Sequence, residues 1–279
     1  MVRQLLSGWI VAAALLVQPV AAAPQAMPEQ VDIARPNGVL HALLYKPEGA
    51  GPFHTVIALH GCAGLTGPDT RLLPAYRGWV TQLLGTGNAV LLPDSYGSRD
   101  VGSQCRAKER RVFARRERVD DVLSTRQWLL RQPWVAREHI GVIGWDNGAS
   151  ALLWAVRPQL AHRLSPDFRS AVAFYPDCRV SSRLGWSARV PTLVLIGAKD
   201  ETSSPAACRE MIEDARGRSA LARVVIYPGA DHGFDVAREP LHALAAAPGA
   251  TTPAARALRT EDAAARADAQ KRVAEWLTR

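Results

Sequence analysis

The sequence predicts an α/β fold: a mostly parallel central sheet with helices on both faces. Two observations lead there. Short apolar, β-branched runs alternate with stretches of helical periodicity along most of the 279 residues. That is the pattern of strands buried on both sides and joined by helical crossovers. The residues with chemistry to offer, Cys62, Asp94, Asp146, Asp200 and His232, each fall just past the end of such a run. Functional groups collect beyond the carboxyl ends of strands in sheets of this kind.

Each element has its own signal. Residues 31–45 alternate apolar and polar around Pro36-Asn37-Gly38, a hairpin signature. Residues 55–59 form a strand that ends in His60-Gly61-Cys62-Ala63-Gly64, and a helix over 72–84 is closed by Gly85 and Gly87. The strand 89–93 runs into Asp94-Ser95-Tyr96-Gly97. A long amphipathic helix is expected over 111–132, with Val112, Val119, Val122, Leu123, Trp128 and Leu129 near helical spacing. Strand 140–143 feeds Gly144-Trp145-Asp146-Asn147-Gly148, and helix 149–156 leaves it. Strands 171–175, 192–196 and 224–227 follow, the last two leading into Gly197-Ala198-Lys199-Asp200 and the stretch 228–235 that holds Asp231, His232 and Asp235. An Ala-rich tract over 242–269 contains Pro248, Gly249 and Pro253, so its first half reads as loop and its second half joins a closing helix to about Leu277. No internal repeat and no linker divides the chain.

A hydrophobic content of 48% suffices for one sizeable core. The formal charge is +8, yet no basic patch interleaved with aromatics and no zinc-finger spacing points to nucleic acid. The densest basic run, 106–118, is broken by Glu109 and Glu117 and reads as the solvated face of a helix. At the N-terminus, Arg3, an apolar stretch over 5–17 and Val20-Ala21-Ala22-Ala23 make a secretory signal peptide of residues 1–22, too short to span a bilayer. The mature chain, 23–279, is then a single exported domain, periplasmic or secreted, with no stable membrane insertion. Four cysteines in an exported chain allow three disulfide pairings. No cluster has metal-site spacing, so neither metal nor other cofactor is implied, and the oligomeric state is left open.

Within 144–148 the pattern G-x-D-x-G ends an apolar run and opens a small-residue helix, the layout of a nucleophile elbow. Alone, five residues read equally well as an ordinary strand-to-helix turn. The order apex residue, acid, histidine that follows along the chain removes that ambiguity. So do His60-Gly61-Cys62-Ala63-Gly64, Leu92-Pro93-Asp94-Ser95, the stretch 141–148, Gly197-Ala198-Lys199-Asp200 and the stretch 227–234. Together these motifs resemble the exported, cap-free relatives of the dienelactone hydrolase family, over nearly all of the mature chain.

The resemblance implies an α/β-hydrolase fold without a separate cap domain, acting on a small molecule. It puts Asp146 in the nucleophile place, Asp200 as orienting acid and His232 as base, with the backbone N–H groups of Cys62 and Asn147 as the oxyanion hole. Arg99 and Trp145 become candidates for the substrate pocket, Arg99 for a substrate carboxylate. The family arrangement sets the strands before Cys62 and Cys105 side by side, and likewise those before Cys178 and Cys208, which implies those two disulfides. Bland readings compete at several positions: His232 as a surface-loop residue, Arg99 as a surface arginine, Asp231 or Asp235 as partner of His232. Ser150 falls one helical turn past the apex, inside the helix, and Cys62 does not occupy the apex.

An aspartate at the apex changes the chemistry. It is ionised near neutral pH without help. Attack on a carbonyl would give an acyl anhydride, whereas attack on a saturated carbon gives an alkyl ester that His232 can hydrolyse with activated water. Haloalkane dehalogenases and epoxide hydrolases use an apex aspartate this way, but they carry a cap and a tryptophan after the aspartate, where this chain has the short segment 178–190 and Asn147. Three functions follow: hydrolysis of a small ester, lactone or related electrophile; hydrolysis of a haloalkanoate or epoxide through an alkyl-enzyme ester; or binding without catalysis, with His232 held protonated between two carboxylates.

Overall fold

A computed structural model describes residues 27–158, 166–236 and 253–279, with side chains in the last stretch from 262 onward. The expected signal peptide and residues 242–252 of the Ala-rich tract lie outside the described residues.

Eight strands form one sheet in the order β1-β2-β4-β3-β5-β6-β7-β8. β1 (Glu29–Arg35) and β2 (Gly38–Tyr45) are the hairpin, and β2 runs antiparallel to β4 (Ala89–Pro93). From there the sheet is parallel through β3 (Phe53–Leu59), β5 (Val135–Trp145), β6 (Ser170–Phe174), β7 (Thr192–Gly197) and β8 (Ala222–Tyr227). β4, β6 and β7 are buried along their whole length, as their unbroken apolar sequences require.

Six helices are described: α1 (Pro74–Gly85), α2 (Glu117–Leu129), α3 (Asn147–Ala155), α4 (Arg179–Arg183), α5 (Pro205–Asp214) and α6 (Pro253–Leu277). Gly141 of β5 faces Leu277 of α6, while Gly144 faces the first turn of α3. Three residues apart on a strand, the two point to opposite sides, so helices cover both faces. Between β6 and β7 the chain makes only the short α4, and no cap domain stands there.

The helix expected over 111–132 is shorter. It starts at Glu117, whose carboxylate takes the Phe113 N–H at 2.8 Å and closes the chain ahead of it into turns. Val112 and Val119 are both buried, but as anchors of a loop and a helix rather than of one helix face. The basic run is therefore mostly an irregular loop, tied at its start by a disulfide at Cys105.

Candidate active site

β5 ends centrally between β3 and β6, and the turn into α3 is as tight as atoms allow. A Cβ on Gly148 would lie 2.2 Å from the Leu59 carbonyl oxygen, and one on Gly144 would lie 2.7 Å from the Gly148 carbonyl carbon. Neither position can carry a side chain without moving backbone. At the apex, Asp146 has φ 50° and ψ −111°, a conformation that costs a non-glycine residue about 1–3 kcal/mol and recurs at functional sites. Its N–H donates to the Phe174 carbonyl at 3.0 Å, and its carbonyl accepts from the Ser150 N–H and hydroxyl at 2.9 and 3.0 Å. Ser150 is thus committed to the turn.

The Asp146 carboxylate points at the loop after β3. Its Oδ2 accepts the Cys62 N–H at 2.7 Å. That peptide is held from several sides: the Cys62 carbonyl accepts the Gln104 N–H at 2.8 Å, its side chain is bonded to Cys105, and the Gly61 N–H donates to the Tyr76 hydroxyl at 2.9 Å. Behind it, the buried His60 is neutral. The Ser95 N–H donates to Nε2, so the proton sits on Nδ1 and goes to the Gly61 carbonyl. Burial, and then the Arg118 charge, push its pKa well down, so the 3.8 Å approach to Asp94 is not an ion pair. Asn147, the first residue of α3, has a backbone N–H with no partner inside the helix. Its side-chain oxygen accepts from Tyr96 and Arg118 at 3.1 and 2.9 Å.

The loops after β7 and β8 meet over the same end of the sheet. His232 Nδ1 lies 2.9 Å from Asp200 Oδ2, while Asp200 Oδ1 accepts the N–H groups of Thr202 and Ser203 at 2.9 and 2.7 Å. Burial pushes the His232 pKa down, but the Asp200 hydrogen bond and charge, with the charges of Asp146 and Asp235, outweigh it and the net shift is upward. The Nδ1 partner of His232 is Asp200 and not Asp231, whose backbone N–H donates to Asp262. Nor is it Asp235. That residue is buried beneath the site, where Oδ2 accepts the indole N–H groups of Trp79 and Trp145 at 2.7 and 2.8 Å and Oδ1 accepts the Tyr175 hydroxyl at 2.7 Å. Burial raises its pKa despite those three donors. The Tyr175 ring lies 4.4 Å from that of His232, so this buried carboxyl anchors the floor under the histidine.

Two of the candidate pocket residues are engaged with the protein itself. Trp145 is 3% exposed and its indole N–H is used on Asp235, so it packs below the apex. Arg99 makes two 2.8 Å bonds to Asp121 and one of 2.7 Å to the Ser95 carbonyl. Its fork is filled by the protein. A groove of about 300 Å³ does open on Asn147, with Phe113, Trp154 and Val180 as apolar wall and Arg110 and Arg115 along its edge. The disulfides join Cys62 to Cys105 and Cys178 to Cys208. Among the described residues no three His, Cys, Asp or Glu side chains are grouped to hold a metal ion. Sequence reading missed the buried Asp235 anchor and the Arg118–Asn147–Tyr96 cluster. Both are made by residues far apart in the chain, and only the polar character of Asp235 beside His232 hinted at either.

Residues 40–279 match the model of the dienelactone hydrolase family. The chain belongs to that family. The sequence finds no match among curated proteins. Solved structures share the fold: a candidate dienelactone hydrolase from Klebsiella pneumoniae (TM-score 0.64, 18% identity, 91% of this chain and 98% of that one) and a dienelactone hydrolase from Anabaena variabilis (0.63, 19%, 91% and 98%). Esterase 2 of Thermogutta terrifontis is similar over 76% of this chain and 86% of its own, at 20% identity and a TM-score of 0.57. As a dienelactone hydrolase family member, the protein is a hydrolase with an α/β-hydrolase fold.

Proposed function

We propose that the protein hydrolyses a small ester, lactone or related electrophile through an alkyl ester on Asp146, which His232 and Asp200 then hydrolyse. One observation carries this reading: the 2.7 Å hydrogen bond from the Cys62 N–H to Asp146 Oδ2. It holds one carboxylate oxygen in the oxyanion hole and leaves Oδ1 for attack. An N–H engaged this way is not available to a substrate carbonyl, so acyl attack loses its electrostatic support as well as leading to an anhydride.

In the first step Oδ1 forms a bond to saturated carbon, and the leaving group departs with the bonding electron pair. In the second, water adds to the Asp146 ester carbon while His232 takes its proton and Asp200 stabilises the imidazolium. Oδ2 becomes the oxyanion on the same Cys62 N–H. Collapse then expels the alkoxide, which takes the proton from His232 and leaves as an alcohol, and the regenerated Asp146 carboxyl releases its remaining proton to solvent. Esterification also removes the Asp146 charge that helps raise the His232 pKa, so more of the ring is neutral at the step that needs a base.

The groove beside Asn147 suits a small, partly apolar substrate, and Arg110 and Arg115 offer the positive edge first sought at Arg99. A haloalkanoate or epoxide is the second reading, since each offers the saturated carbon that an apex carboxylate attacks. Two disulfides and the N-terminal pattern support export of the chain from residue 23.

The test is trapping. His232→Gln is incubated with β-butyrolactone, chloroacetate, a small epoxide and 4-nitrophenyl acetate, and peptides are mapped by mass. An alkyl adduct on Asp146 is the expected result. Turnover by the wild-type chain without any such adduct in the variant overturns the mechanism. Neither adduct nor turnover would leave a non-catalytic binding protein.

A further inference from the structure

The basic run over 106–118 ends on a residue that the chemistry above does not use. Arg118 lies in the first turn of α2 with 1% of its surface exposed. Nη1 donates to Asn147 Oδ1 at 2.9 Å, Tyr96 donates its hydroxyl to the same oxygen at 3.1 Å, and the guanidinium carbon lies 5.3 Å from the Tyr96 ring centroid. Nε and Nη2 have no partner among the described residues. An unpaired cation is among the costliest groups to bury, and a methionine would fill such a space without that cost. Stability does not account for an arginine here.

Location does. Asn147 follows the apex and supplies the second N–H of the oxyanion hole in the reading given above. Its amide oxygen is gripped by Arg118 and Tyr96 together. Burial lowers the Arg118 pKa, and the nearby charges of Asp121 and, less, Asp146 oppose that shift.

We infer that Arg118 is a positioning residue of the oxyanion hole: through the Asn147 side chain it aims the Asn147 N–H. Supporting groups of this kind hold the reacting shell in register and lose function when removed even though they touch no substrate. The inference rests on the hole being used, not on which nucleophile uses it.

Three variants test it: Arg118→Met, Arg118→Lys and Asn147→Ala. With a substrate that turns over, Arg118→Met should lower kcat on the order of 10²-fold, the scale of one lost oxyanion donor, with KM within about threefold. Arg118→Lys should recover part of the loss. The double variant Arg118→Met/Asn147→Ala should be no slower than the slower single, because both act on one N–H. Fully additive losses, or a lowered melting temperature with kcat unchanged, overturn the inference. Repeating the series in Asp146→Ser with 4-nitrophenyl acetate reads the hole under acyl transfer and so separates this inference from the alkyl-ester mechanism. Hydrogen exchange needs no turnover: the peptide spanning 147–150 should exchange faster in folded Arg118→Met, and unchanged exchange there also overturns it.

Discussion

Replacing Asp235 separates what its charge does from what its hydrogen bonds do. Three buried donors converge on this carboxyl at 2.7–2.8 Å, from Trp79, Trp145 and Tyr175. Leucine fills a similar volume but strands all three, at about 1–3 kcal/mol each. Against that stands a gain of roughly 2 kcal/mol from burying an apolar side chain. The net loss for Asp235→Leu is therefore about 1–7 kcal/mol. Asparagine keeps an oxygen for both indoles and turns its amide to the Tyr175 hydroxyl, which can accept; it also avoids burying a charge. Asp235→Asn should stay within about 1 kcal/mol of the wild type. Urea unfolding between pH 3 and 8 measures both. Because burial raises the folded-state pKa of Asp235, its contribution favours folding fully only below the ordinary aspartate pKa. It declines as pH climbs from there through the raised value. Asp235→Asn should lack that decline. If asparagine costs as much as leucine, or both variants share the wild-type pH slope, the carboxyl does not act as argued.

Asp200→Asn should reduce turnover by ~10³–10⁴-fold, because its amide would face Nδ1 and force the wrong histidine tautomer; steady-state rates of the folded variant check this. Asp146→Ser should create or raise activity on activated esters, and it should lower the His232 pKa by removing one of the charges that raise it, as followed by NMR titration of the ring. In the wild type, breakdown of the adduct needs neutral His232, so its rate should rise with pH through a value below the His232 pKa of the free enzyme, where the Asp146 charge is still present. The two disulfides close segments of 43 and 30 residues, so losing either pair to serine should cost about 4 kcal/mol. Only Cys62→Ser/Cys105→Ser should also slow the chemistry, which paired denaturation and rate measurements would show.

Much of this was legible in one chain. The strand ends could be read because buried parallel strands leave unbroken apolar runs, and the elbow because Gly144 and Gly148 are demanded by backbone contacts under 3 Å. The Asp200–His232 contact follows from strand order. What failed to read is where side chains turn inward. Val112 and Val119 mimic one helix although a loop separates them. Arg99 and Arg118 look alike in sequence, yet one is neutralised by Asp121 and the other is buried against Asn147. Trp145 sits beside the apex in sequence and beneath it in space, since neighbours on a strand face opposite sides.

The Cys62 hydrogen bond to Asp146 has a practical corollary. Chemical surveys of hydrolases commonly fish with organophosphorus or sulfonyl electrophiles, which need a deprotonated hydroxyl and a vacant pair of N–H groups to receive their oxygen. Here the receiving N–H already holds an anion that belongs to the protein. Such reagents would pass this site by, and the protein would be scored silent among relatives that react. Strained rings and alkyl halides are the bait that the proposed alkyl-ester mechanism calls for.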